Sequence, residues 1–122
     1  MTPNKEDYLK CIYELGQLDQ KITNKLIAEK MAFSAPAVSE MLKKMVAEEL
    51  ISKDVKAGYL LSQTALEMVS SLYRKHRLIE VFLVEQLGYS PEEVHEEAEI
   101  LEHTVSDHFI NRLDLLLEQP QT

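Results

Sequence analysis

Residues 95–108 read HEEAEILEHTVSDH and set five carboxylates and three histidines into fourteen positions. On a helix turning about 100° per residue, His95, Glu99, Glu102 and His103 share one arc of about 100°. Val94, Ala98, Leu101 and Val105 fall on a separate apolar arc beside it, Glu96 lies near the ligand arc, and Glu97 and Thr104 turn away. Carboxylates this close repel one another, and placing them against a core is costly unless a cation compensates. Oxygen donors with imidazole and no thiolate suit a hard or borderline divalent ion. Mn²⁺ fits well, with Fe²⁺, Co²⁺, Zn²⁺ or Cd²⁺ as substitutes, and affinity alone does not favour manganese over the later metals, so selectivity must lie in geometry and supply. A solvated acidic helix with incidental histidines is the other reading, and these residues alone leave it open.

Other segments offer further donors. His76 and Glu80 are spaced i, i+4 and project together from one helix, beside the basic run Arg74, Lys75 and Arg77, while Asp7 adds a carboxylate near the N-terminus. Spacing argues against an enzyme. HEEAE lacks the second histidine of a zincin, only Glu92 to His95 makes an E-x-x-H pair where a di-iron bundle needs two, and there is no glycine-rich phosphate loop or nucleophile elbow. With three glycines and one cysteine, Cys11, neither a cofactor cradle nor a multi-thiolate zinc knuckle is expected, and Cys11 reads as a small hydrophobe.

A second chemistry is written between residues 34 and 47. Turning the segment from Ser34 puts Val38, Met41, Leu42, Met45 and Val46 on a core-facing arc, and Pro36, Ala37, Ser39, Glu40, Lys43 and Lys44 on the opposite one. Hydroxyls there can meet phosphates or base edges, Pro36 and Ala37 can touch thymine methyls, and the lysines can neutralise phosphates. The net charge of −8 argues against nucleic acid until it is divided along the chain. Nine basic residues match nine acids in residues 1–60, whereas four face twelve in residues 61–122, so the whole excess belongs to the second half. A neutral half with clustered lysines can still meet DNA.

The elements that must position these groups follow from caps and periodicity. Thr2 as a cap, Pro3 in the first turn, and Glu6 and Asp7 behind it predict a first helix from about Pro3 to Leu18, with Tyr8, Leu9, Ile12, Tyr13 and Leu15 in the core. Thr23 caps a short second helix, NKLIAEKM, and Ser34 a third, a helix-turn-helix order. ISKDV and GYLLS around KAG predict a β-hairpin, hence a winged helix in which Lys53 and Lys56 are wing contacts to backbone, with Lys21 and Lys25 reaching phosphates near the second helix. Ser62 then caps a helix running without glycine to Gly88, and Ser90 with Pro91 starts the next. The final helix carries an apolar stripe of Val105, Phe109, Leu113 and Leu116 that so small a unit can hardly bury alone, so a homodimer through the C-terminal helices is expected. EQPQT reads as a frayed end or the start of something absent. With 45% hydrophobic and 28% charged residues, no long apolar run and no secretory signal at MTPNKEDY, a soluble cytoplasmic protein without membrane contact is expected.

EDYLKCIYEL, SAPAVSEMLKKM, GYLLSQTA, YRKHRLIEVFL and HEEAEILEHTVSD together resemble, in order and across nearly the whole chain, the metal-dependent repressors typified by the diphtheria toxin repressor, in particular the manganese-responsive streptococcal ScaR/SloR type. The resemblance implies a mostly α fold. It comprises an N-terminal winged helix-turn-helix DNA-binding domain (1–62), then a helical metal-binding and dimerisation domain (63–122), with the helix 63–88 joining the two. The C-terminal SH3-like domain of longer members is expected to be absent from this chain. It implies Asp7, Glu99, Glu102 and His103, with His76 beside them, as the primary metal site, and Glu80 and His95, again with His76, at an ancillary one. Glu99 stands where the iron-responsive branch has cysteine, and Ser34, Pro36, Ser39 and Glu40 fall on DNA-contacting positions. Lys10 departs from the pattern, occupying a position where two-domain manganese repressors carry a second carboxylate. The expected function is a manganese-dependent repressor that binds palindromic double-stranded operator DNA as a metal-activated dimer and controls metal-uptake genes. A winged-helix regulator not gated by metal, and a helical metal-binding protein with no DNA role, remain the rivals.

Overall fold

A computed structural model describes residues 3–118. The expected Thr2 cap and the EQPQT tail beyond Glu118 lie outside the described residues. The elements run α1 (Pro3–Leu15), α2 (Asn24–Met31), α3 (Ala35–Ala47), β1 (Ile51–Asp54), β2 (Gly58–Leu61), α4 (Gln63–Leu87), α5 (Pro91–Glu102) and α6 (Asp107–Glu118). They fall into two compact units, Met1–Val69 and Ser70–Thr122, each with its own core.

In the first unit, Tyr8, Leu9, Ile12, Ile27, Val38, Leu42 and Met45 are buried together with Ala65 and Val69 from the start of α4. The helix starts use the caps read from sequence: Leu26 N–H donates to Thr23 Oγ1, Ala37 N–H to Ser34 Oγ, and Ala65 N–H to Ser62 Oγ. α1 ends at Leu15, three residues short of the expected Leu18. Tight turns there, Gln17 N–H to Glu14 O and Leu18 N–H to Leu15 O, replace the helix, and leave Leu18 exposed. Between α2 and α3 the chain reverses through Ala32, which takes the left-handed conformation (φ 58°) that glycine more commonly fills.

The wing is a two-stranded antiparallel hairpin with Ile51 opposite Leu61 and Lys53 opposite Tyr59. Asp54 Oδ2 closes its turn by accepting from Lys56 and Ala57 N–H. Gly58 follows with φ 87°, and a Cβ there would stand 1.9 Å from the carbonyl oxygen of Ile22, whose own N–H donates to Ala57 O. Only glycine fits so close a backbone approach.

The second unit is built from the remainder of α4 with α5 and α6, around Leu78, Ile79, Leu83, Val94, Ala98, Ile110 and Leu113. Ser90 and Glu93 form a reciprocal capping box at the start of α5. The helical arc that joins Val105 to Val94 in the sequence is interrupted, because the chain breaks after Glu102. His103 caps α5, and Ser106 Oγ accepts from Phe109 N–H to start α6. Val105 still packs against this core from the connecting turn, and Leu113 is buried, whereas Phe109 and Leu116 are about half exposed.

Candidate metal centre and nucleic-acid interface

One turn of α4 presents His76 and Glu80 towards α5, where His95 and Glu99 are likewise one turn apart. Their side chains alternate base and acid. His76 Nε2 pairs with Glu80 Oε1; the same oxygen lies 3.6 Å from His95 Nδ1, and His95 Nε2 is 3.1 Å from Glu99 Oε1. On its other side, His76 Nδ1 is 3.2 Å from Glu102 Oε1. The two imidazoles meet edge to face with centroids 5.1 Å apart.

Exposure falls along this series. His95 is open to solvent, His76 is mostly covered, and Glu102 is 1% exposed, the one buried charged residue among those described. A buried carboxylate carries a heavy desolvation cost unless it is paired. The apolar arc of α5 explains the burial. Val94 and Ala98 face the core, and Glu102, one turn beyond Ala98, is drawn in with them.

Among the described residues, His76, Glu80 and His95 form the group whose donor atoms converge, all lying within 4.8 Å of one another. Two imidazoles and a carboxylate fit a borderline divalent cation, with Glu102 behind His76 in the place of an orienting outer partner. His76 therefore stands with Glu80 and His95, the ancillary grouping that the resemblance implies, while its second nitrogen reaches Glu102 of the expected primary set. Among the described residues, Glu99, Glu102 and His103 are not gathered into a comparable triple: Glu99 turns to His95, and Glu102 reaches His76. Asp7 is exposed on α1, and Lys10 on the same helix is partly covered. Cys11 is no competing donor. It is buried, and burial pushes its thiol from 9.0 up to about 11, so it stays protonated at neutral pH.

On the first unit, the cap residue Ser34 and Pro36, Ala37, Glu40, Lys43 and Lys44 of α3 are exposed, as are Lys53 and Lys56 of the wing and Lys21 and Lys25 around α2. Ser34 Oγ is engaged as the α3 cap. Ser39 is partly covered and accepts from Asn24 Nδ2 at 3.2 Å, and Asn24 Oδ1 in turn accepts from Tyr59 OH at 2.6 Å. These three side chains border a groove of about 310 Å³ that Lys43 and Lys53 also line. Asn24 and Tyr59 were not singled out from the sequence. The available signal was weak, a polar residue directly after a cap and one aromatic in a strand.

Residues 1–59 match the family description "Iron dependent repressor, N-terminal DNA binding domain", and residues 63–122 match "Iron dependent repressor, metal binding and dimerisation domain". The chain belongs to the iron-dependent repressor family. The iron-dependent repressor IdeR of Mycobacterium leprae is 34% identical over the whole chain and 53% of its own length. Among solved structures, the manganese regulator SloR is 64% identical with a TM-score of 0.83, and ScaR with bound Zn²⁺ is 68% identical with a TM-score of 0.86. These cover 100% and 97% of this chain, but 57% and 55% of theirs, so the chain spans little more than half the length of each of the three relatives. The resemblance to the ScaR/SloR type read from the sequence is borne out. Both iron-dependent repressor descriptions are of repressor domains, in line with a sequence that has no catalytic spacing. Among the described residues, no helix is long and apolar enough to cross a membrane.

Proposed function

We propose that this iron-dependent repressor family member is activated by manganese, binds palindromic operator DNA as a homodimer in the cytoplasm, and represses metal-uptake genes. The observation that carries the reading is the convergence of His76, Glu80 and His95 in one half of a chain whose other half exposes a lysine-bearing recognition helix. When bound, a divalent cation supplies the positive charge that offsets the mutual repulsion of the carboxylates. His76, Glu80 and His95 would hold one ion. Asp7, Glu99, Glu102 and His103 would hold the activating one, with Glu99 and Glu102 released from the imidazoles they now face. The absence of an accessible thiolate, with Glu99 in place of the cysteine that the iron-responsive branch carries, favours manganese over softer ions.

Ser34, Pro36, Ala37, Ser39 and Glu40 would meet base edges or nearby phosphates, and Lys43, Lys44, Lys53 and Lys56 the phosphate backbone. Metal then shifts the protein towards its DNA-competent arrangement, and by linkage DNA tightens metal binding by the same factor. A mobility-shift titration on duplex selected from a random pool in Mn²⁺ checks this. Binding is expected to weaken on chelation and return when Mn²⁺ is added back. Unchanged affinity after chelation removes the metal switch.

A further inference from the structure

Three elements of the first unit meet at the hydrogen-bonded series Tyr59 (β2), Asn24 (α2) and Ser39 (α3). Its bond lengths agree with a single direction. A separation of 2.6 Å suits O–H···O and is short for N–H···O, whereas 3.2 Å suits an amide donor, so the Asn24 carbonyl faces Tyr59 and its NH₂ faces Ser39. The Tyr59 phenol is protonated at neutral pH as any tyrosine is, and burial, outweighing the bond to Asn24, moves it further from ionising. Ser39 Oγ is thus an acceptor on its inner side. Among the described residues its own proton has no acceptor, and it lies on the exposed side of α3, on a groove shared with Lys43 and Lys53.

We propose that Tyr59 and Asn24 are positioning residues that fix Ser39 as a hydrogen-bond donor towards DNA, so that α3 selects an acceptor opposite it, a phosphate oxygen or the acceptor edge of a base. The inference rests on the DNA-binding reading above and adds a polarity to it. With Asn24 donating to it, Ser39 Oγ keeps its proton, along with its second lone pair, for an outer partner, whereas an acceptor in place of the Asn24 NH₂ would draw that proton inward and leave only lone pairs outward. The wing thereby contributes through the recognition helix, by way of Tyr59, as well as through its lysines.

The test is a double-mutant cycle on the intact chain with Mn²⁺, using the selected duplex and a scrambled one. Asn24→Asp keeps the shape but turns the NH₂ into an acceptor, which draws the Ser39 proton inward and presents lone pairs to DNA. Affinity for the selected duplex is expected to fall by about tenfold. In a Ser39→Ala background the same change is expected to have little further effect. An equal loss in both backgrounds, as the added negative charge alone would produce, overturns the relay, and so does no loss in either. Tyr59→Phe gives a second route should Asn24→Asp fold poorly. Its smaller loss must also vanish with Ser39→Ala, and a loss that persists there overturns the proposal. A panel of single base-pair changes separates the two acceptor sources. A loss shared evenly across the panel marks a phosphate, and one confined to a single position marks a base edge. Failure of the wild-type chain to bind any duplex in Mn²⁺ rejects the DNA-binding reading itself, whereas binding with an additive cycle rejects only the relay.

Discussion

Glu102 and Cys11 show how burial sorts ionisable side chains in this protein. Glu102 is covered as completely as a core leucine yet keeps an imidazole beside it, whereas Cys11 is covered among apolar neighbours. The difference decides which can serve a metal. A carboxylate next to His76 is held ready for a cation, while a thiol held protonated to about pH 11 is withdrawn from one. The Cys11 shift has a measurable consequence. Between about 9 and 11 the unfolded chain has lost the thiol proton and the folded chain still holds it, so stability falls as pH rises through this window, by up to roughly 1.4 kcal/mol per unit. Urea melts at pH 8, 9 and 10 on the native chain and on Cys11→Ala, compared as slopes, isolate this contribution. A native chain whose alkaline slope matches that of Cys11→Ala rules it out. Legibility at this scale was uneven. The i, i+4 spacing of His76 and Glu80 was plain in the sequence, but that His95 would meet them depended on how α5 packs against α4, which no local pattern encodes.

Among the elements, four helix starts were legible from their side-chain caps, whereas the end of α1 and the start of α6 were not. Thr23, Ser34, Ser62 and Ser90 each start a helix at the expected residue, because a cap is a local hydrogen bond between near neighbours. α1 was drawn too long, since its aliphatic pattern continues to Leu18 while the chain turns at Gly16. The break between α5 and α6 escaped notice because Thr104, Val105 and Ser106 are compatible with helix, and Ser106 declares itself a cap only through its bond to Phe109 N–H. The hairpin was legible from its glycine, although the reason for that glycine lies thirty-six residues back at Ile22. That contact yields a prediction. Gly58→Ala must relieve a 1.9 Å clash with backbone and adopt a positive φ, so about 2–4 kcal/mol of stability is expected to be lost. Thermal melts read this, with DNA binding falling as the wing is displaced. A variant as stable as the parent rejects the close approach of the Ile22 segment to the wing.

At the scale of the whole molecule, charge and apolar surface pull in opposite directions. The acidic excess belongs to the second half of the chain, and so do Val84, Leu87, Ile100, Phe109, Leu115 and Leu116, all large hydrophobics exposed in the isolated chain. Two copies brought together through such a half repel one another, yet each large side chain removed from water contributes about 1.5–3 kcal/mol. A few such contacts outweigh a screened repulsion, which is the physical case for a homodimer in a region matched to a dimerisation domain. Repulsion between like halves weakens with ionic strength, whereas apolar burial does not, so the dimer is expected to tighten as salt is raised from low concentration. Phe109→Asp combined with Leu116→Asp adds charge and removes apolar surface at positions about half exposed, where the fold of the single chain tolerates them. Sedimentation equilibrium is expected to show a dimer for the parent and a folded monomer for the double variant, with its helical circular dichroism retained. A double variant that remains dimeric places the interface on other residues. A parent that dissociates as salt is raised makes ion pairs, rather than the exposed leucines and phenylalanine, the dominant attraction between the two copies.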